Sequence, residues 1–262
     1  MDFRKLFFLP INASAHGHEI DLLIYLIHLL MFGLFFGWAA YFIFVIYRFR
    51  KARNPKADYK GLHSHVPTSI EVAVAVIEGV LLLAFSIPFW VRQVNAFPNR
   101  PDKIEIRVVA EQFAWNIHYP GADGIFGKMN VKYFDKQSNP LGLDPKDPYS
   151  KDDIVTINQM HVPIGRPVVI RLSSKDVVHS FSIPVMRVKQ DAIPGLDIPL
   201  WFTPTKTGKW EIACAQLCGV GHYSMRGFIT VHSQADYDKW LQEQAAASGS
   251  DGESGGEDDF WN

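Results

Sequence analysis

Apolar residues in this chain fall into two long runs followed by many short ones. From Ile20 to Tyr47, Leu, Ile, Phe, Ala and Gly dominate, with His28 inside the run. The run exceeds the roughly 20 residues a helix needs to cross a bilayer, so it predicts a first transmembrane helix. A second run, Ile70 to Val91, predicts the return span; it carries Pro88-Phe89-Trp90 near its end, with Arg92 just beyond, an interfacial aromatic followed by a charge. Between the runs lie Arg48, Arg50, Lys51, Arg53, Lys56 and Lys60. Short basic loops stay cytoplasmic. Both ends of the hairpin therefore face outward, and His63-Ser64-His65 is read as a pair of solvated loop histidines near the inner surface. Within the second run, Glu71 and Glu78 are seven residues apart and share a helix face. Carboxylates in a span are costly and mark functional or partner-facing positions. Glu71 lies near the cytoplasmic end, where simple solvation is an equal alternative; Glu78 lies deeper and is assigned to a protein partner.

After Arg100-Pro101 the period changes. Runs at Ile104–Val109, Phe113–Tyr119, Ile154–Ile157, Val168–Leu172, Val177–Ile183, Leu200–Thr203, Lys209–Ile212 and Gly227–Val231 are short, alternating and separated by turn residues. They predict strands of an all-β Greek-key sandwich or barrel on the outer side of the membrane. The segment from Gly121 to Asp153 is rich in Gly, Pro, Asp and Lys and reads as excursions over the surface. A short helix from Gln234 to Ala247 packs back on the sandwich. The expected domains are a lead-in over 1–19, the helical hairpin over 20–92, the outer β domain over 93–247 and an acidic flexible tail over 248–262. The lead-in carries Arg4, Lys5, Leu6-Phe7-Phe8-Leu9 and Ala13-Ser14-Ala15, a weak signal-peptide pattern. Its apolar core is short and broken by Pro10, so an uncleaved lead-in is preferred. The tail carries Asp251, Glu253, Glu257, Asp258 and Asp259 and reads as disordered.

Composition adds two constraints. Hydrophobic residues make up 48% of the 262 while mean hydropathy is zero, so a polar domain balances the apolar hairpin. Net charge is −1, which gives no basic surface for nucleic acid.

Both cysteines lie in one stretch, Cys214-Ala215-Gln216-Leu217-Cys218-Gly219-Val220-Gly221-His222-Tyr223-Ser224-Met225. Offsets of four, four and three would put Cys214, Cys218, His222 and Met225 on one helix face, but Gly219 and Gly221 each cost a helix interior roughly 1 kcal/mol. A loop bent around a ligand is the better reading. Thiolate, imidazole and thioether are a soft donor set. Among the outer-domain histidines, His118, His161, His179 and His232, the favoured further ligand is His179, which ends an apolar strand, Val177-Val178, with Asp176 just before; His161 is the runner-up. Three chemistries compete: a disulfide, a closed zinc site of two thiolates and two imidazoles, and copper. Only copper uses Met225, as a weak axial ligand. Two thiolates exceed what one mononuclear copper site takes and can bridge a pair of coppers, each completed by an imidazole and one weak ligand.

With Asp176-Val177-Val178-His179-Ser180-Phe181 and Asp191-Ala192-Ile193-Pro194-Gly195 upstream, the pattern Cys214-x-Gln216-x-Cys218-Gly219-x-Gly221-His222-x-x-Met225 closely resembles subunit II of the haem-copper cytochrome c oxidases. The resemblance covers the hairpin as well as the outer domain. It implies a cupredoxin fold holding a binuclear CuA centre, which takes electrons from a c-type cytochrome and passes them to haem in the large catalytic subunit, subunit I, of a bacterial inner-membrane enzyme. It also implies the ligands: His179, Cys214, Cys218, His222, Met225 and the main-chain carbonyl of Gln216. Glu71 falls where the family has a carboxylate at the entrance of a proton path. Three departures stand out. Gln216 replaces the acidic residue whose carboxylate reaches an interfacial magnesium, which puts that ion in doubt. In Gln112-Phe113-Ala114-Trp115, Phe113 replaces the tryptophan credited with electron entry, leaving Phe113 and Trp115 as the entry candidates. Glu78 has no family counterpart. The alternative from another class is a membrane-anchored copper or zinc carrier without a redox role; a quinol oxidase subunit of the same fold is opposed by the complete ligand set.

Overall fold

The computed structural model describes residues 8–56, 59–60 and 64–250, the side chains of 248–250 excepted. His63, the start of the lead-in with Arg4 and Lys5, and the acidic tail lie outside the described residues. The chain divides into two compact units, His18–Ala96 and the remainder.

The helical unit consists of α1 (Gly17–Arg48) and α2 (Val66–Asn95), of 32 and 30 residues, each with an apolar window of mean hydropathy 2.3. At 1.5 Å per residue either exceeds the ~30 Å hydrocarbon core. Asp21 lies inside the run that was expected to begin at Ile20. It sits in the first turns of α1, where a carboxylate favours the helix N-terminus, so the apolar stretch starts beyond it. In α2 the backbone widens to a π turn over Leu81–Ser86 immediately before Pro88. Proline has no N–H and its ring crowds the carbonyl four residues back. The wider turn accommodates it, with Ile87 N–H reaching the Leu82 carbonyl instead.

The β unit is a sandwich of two five-stranded sheets. One has the order β3-β2-β1-β5-β8 and the other β4-β10-β9-β6-β7. The first holds β1 (Ile104–Glu111), β2 (Ala114–Tyr119), β3 (Ile154–Ile157), β5 (Val168–Ser174) and β8 (Ile198–Phe202). The second holds β4 (Gln159–Pro163), β6 (His179–Ile183), β7 (Val188–Ala192), β9 (Gly208–Cys214) and β10 (Arg226–His232). Alternation along the strands aims one set of side chains inward. Ile106, Val108, Trp115, Ile117, Val168, Ile170, Leu172, Phe181, Ile212 and Ile229 meet there almost without exposure. A final helix, α3 (Gln234–Ser250), lays Tyr237 and Trp240 on this core.

Two expectations change. The 121–153 segment is no mere surface excursion: it covers the outer face of β2, where fully buried His118 bonds Asp153 through Nε2 at 2.6 Å. Phe126 lies edge-on to that imidazole, and Gly127 N–H donates to the same carboxylate. The end of the lead-in is likewise built into the sandwich. Ala13 is fully buried, its N–H donates to the Val185 carbonyl, and its carbonyl accepts from Thr205 N–H. Ser14 Oγ donates to the Met186 carbonyl at 2.7 Å, and Arg187 reaches the Pro10 carbonyl. A Cβ on Gly17 would stand 2.3 Å from Asn12 Oδ1, so a larger residue there would have to displace the Asn12 side chain.

If the strap is part of the core, Ala13→Asp buries a carboxylate with no partner. It is expected to destabilise the β unit by about 2–4 kcal/mol, read as an earlier denaturant midpoint by tryptophan fluorescence of the full chain.

Candidate metal centre

The loop joining β9 to β10 begins at Cys214 and ends at Met225, and the two strands pair in antiparallel register, with Ala213 opposite Arg226. Cys214 N–H donates to the Met225 carbonyl, so the loop is closed at its base. Residues His222–Ser224 form a single 3-10 turn, and Gly219 takes φ +134°, which breaks any helical stripe. On the other side β6 pairs with β9, Phe181 opposite Cys214, which brings His179 beside the cysteines. His179 is the first residue of β6, not the end of a preceding strand: Val177 and Val178 lie in the connection and are partly exposed.

Donor atoms converge. One ring nitrogen of His179 and both Sγ atoms lie within 4.8 Å of one another. His179 Nδ1 is 3.1 Å from Met225 Sδ, and Cys218 Sγ is 3.8 Å from both Cys214 Sγ and Met225 Sδ. Cys214 Sγ approaches the Gln216 carbonyl at 3.2 Å, and His222 Nδ1 approaches Cys218 Sγ at 3.6 Å. Both cysteines are free. Nitrogen and sulfur ligands bound at ~2.0–2.3 Å to a shared ion stand about this far apart. Six donors also exceed the four of a closed tetrahedral site. Burial, followed by Cys214, pushes the Cys218 thiol up to about 11, so a cation must supply the charge that turns it into a ligand at neutral pH.

Behind these donors stand two residues, Asp176 and Gln112, that the sequence names without a role of their own at the site. His179 Nε2 bonds the Asp176 carboxylate at 2.8 Å, which leaves Nδ1 to face the sulfurs. The same carboxylate accepts from the backbone N–H of Gln112 and of Val177. Burial alone would raise its pKa, but these hydrogen bonds outweigh it and hold Asp176 below the usual range. The Gln112 side chain donates to the Cys218 carbonyl at 2.6 Å. The Asp-x-x-His spacing was the available signal for Asp176; Gln112 offered none, being 106 positions from its partner.

Phe113 is half-buried and lies over the glycines of the loop. Trp115 is fully buried beneath His179, with ring centroids 6.2 Å apart, so it has no surface to present to an electron donor. Gln216 is exposed. His161, the second-choice ligand, is elsewhere, on β4. Glu71 and Glu78 lie on α2 in the helical unit, both exposed.

Comparison with known proteins identifies the family. Residues 104–233 match the family model described as cytochrome C oxidase subunit II, periplasmic domain. An alternative cytochrome c oxidase subunit 2 from Bradyrhizobium diazoefficiens is 34% identical over 212 residues, 80% of this chain and 74% of the relative. The chain belongs to the cytochrome c oxidase subunit II family. A subunit 2 from Synechocystis is 27% identical over 257 residues, 91% of this chain and 76% of that one. The periplasmic domain of subunit II from Bradyrhizobium japonicum is 29% identical, covering 57% of this chain and 97% of its own, with a TM-score of 0.42. As a subunit II, the protein is part of an oxidoreductase complex and serves electron entry. Its β unit is the family's cupredoxin-like domain, external and anchored by apolar helices; the family implies copper, and His179, Cys214 and Cys218 form a cluster able to hold a metal.

A Cβ on Gly221 would stand 2.4 Å from Phe113 Cδ2. Gly221→Ala is therefore expected to expel Phe113 from the loop and to cost about 1–3 kcal/mol, measured as a lower thermal midpoint.

Proposed function

We propose that this subunit II accepts electrons from a c-type cytochrome at a binuclear copper centre and delivers them to haem in subunit I, for reduction of O2 to water coupled to proton translocation. The reading rests on one observation above others: two thiols, two imidazoles, a thioether and a carbonyl stand at ligand spacing in one loop and its neighbouring strand. A single ion would leave donors idle. A zinc carrier would have no use for Met225 beside His179, and a carrier of one copper would leave part of the donor set unused. His179, Cys214, Cys218, His222, Met225 and the Gln216 carbonyl would together hold two copper ions. When bound, such a pair would supply a one-electron relay.

The chain's own residues prepare that relay. Asp176 fixes the tautomer of His179 and Gln112 pins the loop at Cys218, so the donors are preorganised and reorganise little. Trp115 and Phe181 pack edge to face beneath the site, which keeps water from the His179 side. Phe113, over the loop glycines, is the electron-entry aromatic nearest the surface, with buried Trp115 behind it. Gln216 offers a carboxamide in place of a carboxylate, and we assign it no magnesium. The membrane is the bacterial inner membrane, with the copper domain on its outer face and Glu71 on a proton path into subunit I. The expected domain limits, 1–19, 20–92, 93–247 and 248–262, belong to the same reading, with the last residues of the first segment serving the β unit.

Cys218→Ser removes one bridging thiolate. The variant is expected to lose the two-copper stoichiometry and the multiline spectrum of a mixed-valence pair; an unchanged metal count and spectrum would refute the binuclear centre. Glu71→Gln is expected to slow steady-state turnover of the assembled oxidase several-fold while reduction of the copper centre by its donor stays at the parental rate, which stopped-flow absorbance separates.

A further inference from the structure

Two histidines that take no part in the metal loop meet at the other end of β10. His161 on β4 and His232 on β10 approach with Nδ1 of the first 2.8 Å from Nε2 of the second, their rings 16° from parallel. The strands run parallel with Thr230 opposite His161. His232, two positions beyond Thr230, therefore shares a face with His161. Trp240 of α3 lies flat on the other side of His161, centroids 4.5 Å apart and planes 3° apart, and Tyr237 stacks on Trp240 in turn. Tyr119 OH accepts the backbone N–H of His161 from below. Both imidazoles are half-buried, so they are held in place yet reachable.

Burial keeps the pair neutral. Burial, then His232 and Lys209, hold His161 down to about 4, and burial lowers His232 against the opposing pull of Asp236. At neutral pH each ring offers a lone pair, the form that binds a metal. We infer that His161 and His232 form a second metal site, for a single divalent first-row ion such as zinc, with water completing its coordination. Binding replaces the N–H···N contact by two nitrogen–metal bonds. The donor ring moves its proton to its other nitrogen, and no net proton is released. At a zinc–nitrogen distance of ~2.0 Å, two ligands in tetrahedral arrangement stand about 3.3 Å apart, roughly half an ångström wider than the present pair. His232 is six residues along β10 from Arg226, about 20 Å from the loop at ~3.3 Å per residue, so the site is separate from the first and does not depend on its occupant.

The test is equilibrium dialysis of the full chain against zinc, in a Cys214→Ser/Cys218→Ser background that removes the loop thiolates. The expected result is one zinc equivalent that disappears in His232→Ala and in His161→Phe, the latter keeping an aromatic ring against Trp240 and hence the fold. Matching unfolding curves for parent and His161→Phe establish that the loss is of ligand, not of structure. Absence of that equivalent in the parent, or its retention by both variants, overturns the site.

Discussion

The carboxylate of Asp176 is the constraint on which the metal loop depends. It stands between β5 and β6 and takes hydrogen bonds from the His179 ring, from Gln112 N–H in the β1–β2 turn and from Val177 N–H. Gln112 in turn reaches the Cys218 carbonyl. One charge thus couples three connections from two sheets, and it does so at the only end of the sandwich where the cysteines emerge. A donor set spread over residues 179 to 225 needs such a tie, because each thiol or imidazole alone would relax toward solvent. The cost of partly burying Asp176 is offset by charge-assisted hydrogen bonds, and the result is a ring with one nitrogen committed and the other aimed.

The sandwich supplies the remainder by register. Pairing of β9 with β10 sets Cys214 against Met225, and pairing of β6 with β9 sets Phe181 against Cys214, which brings His179 beside the cysteines. Glycine in the loop serves closeness: Phe113 rests where side chains at 219 and 221 would stand. The aromatic that covers the loop and the residues that cover no ligand are therefore one adaptation.

Much of this was legible in the chain because it is local. Periodicity gave the two spans and most strands, and the ligands of the loop are neighbours in sequence. The strands that escaped notice have physical reasons. Val188–Ala192 is a polar edge strand, Val-Lys-Gln-Asp-Ala, paired on one side and partly exposed; edges carry charge to resist further pairing. Gln159–Pro163 alternates, with Met160 and Val162 buried, but it is only five residues long and ends on a proline, so the run is too short to stand out. Gln112 and the His118–Asp153 bond were out of reach because their partners are 106 and 35 positions away and no spacing announces them. Trp115 carried a surface role in the motif, yet alternation along β2 turns it inward, a direction set by the pleat and not by the residue type.

The buried strap at Pro10–Ala15 has a bearing on how the protein is made. Its partners, Val185, Met186, Thr203 and Thr205, are synthesised some 170 residues later. Two membrane passages separate the donor from its acceptors. The earliest outer segment must therefore be translocated and held waiting until the last third of the polypeptide arrives on the same side. Closure of the sandwich therefore follows insertion of the hairpin, and a ribosome stalled after α2 would leave an anchored chain with an unpaired strap and no domain to receive it.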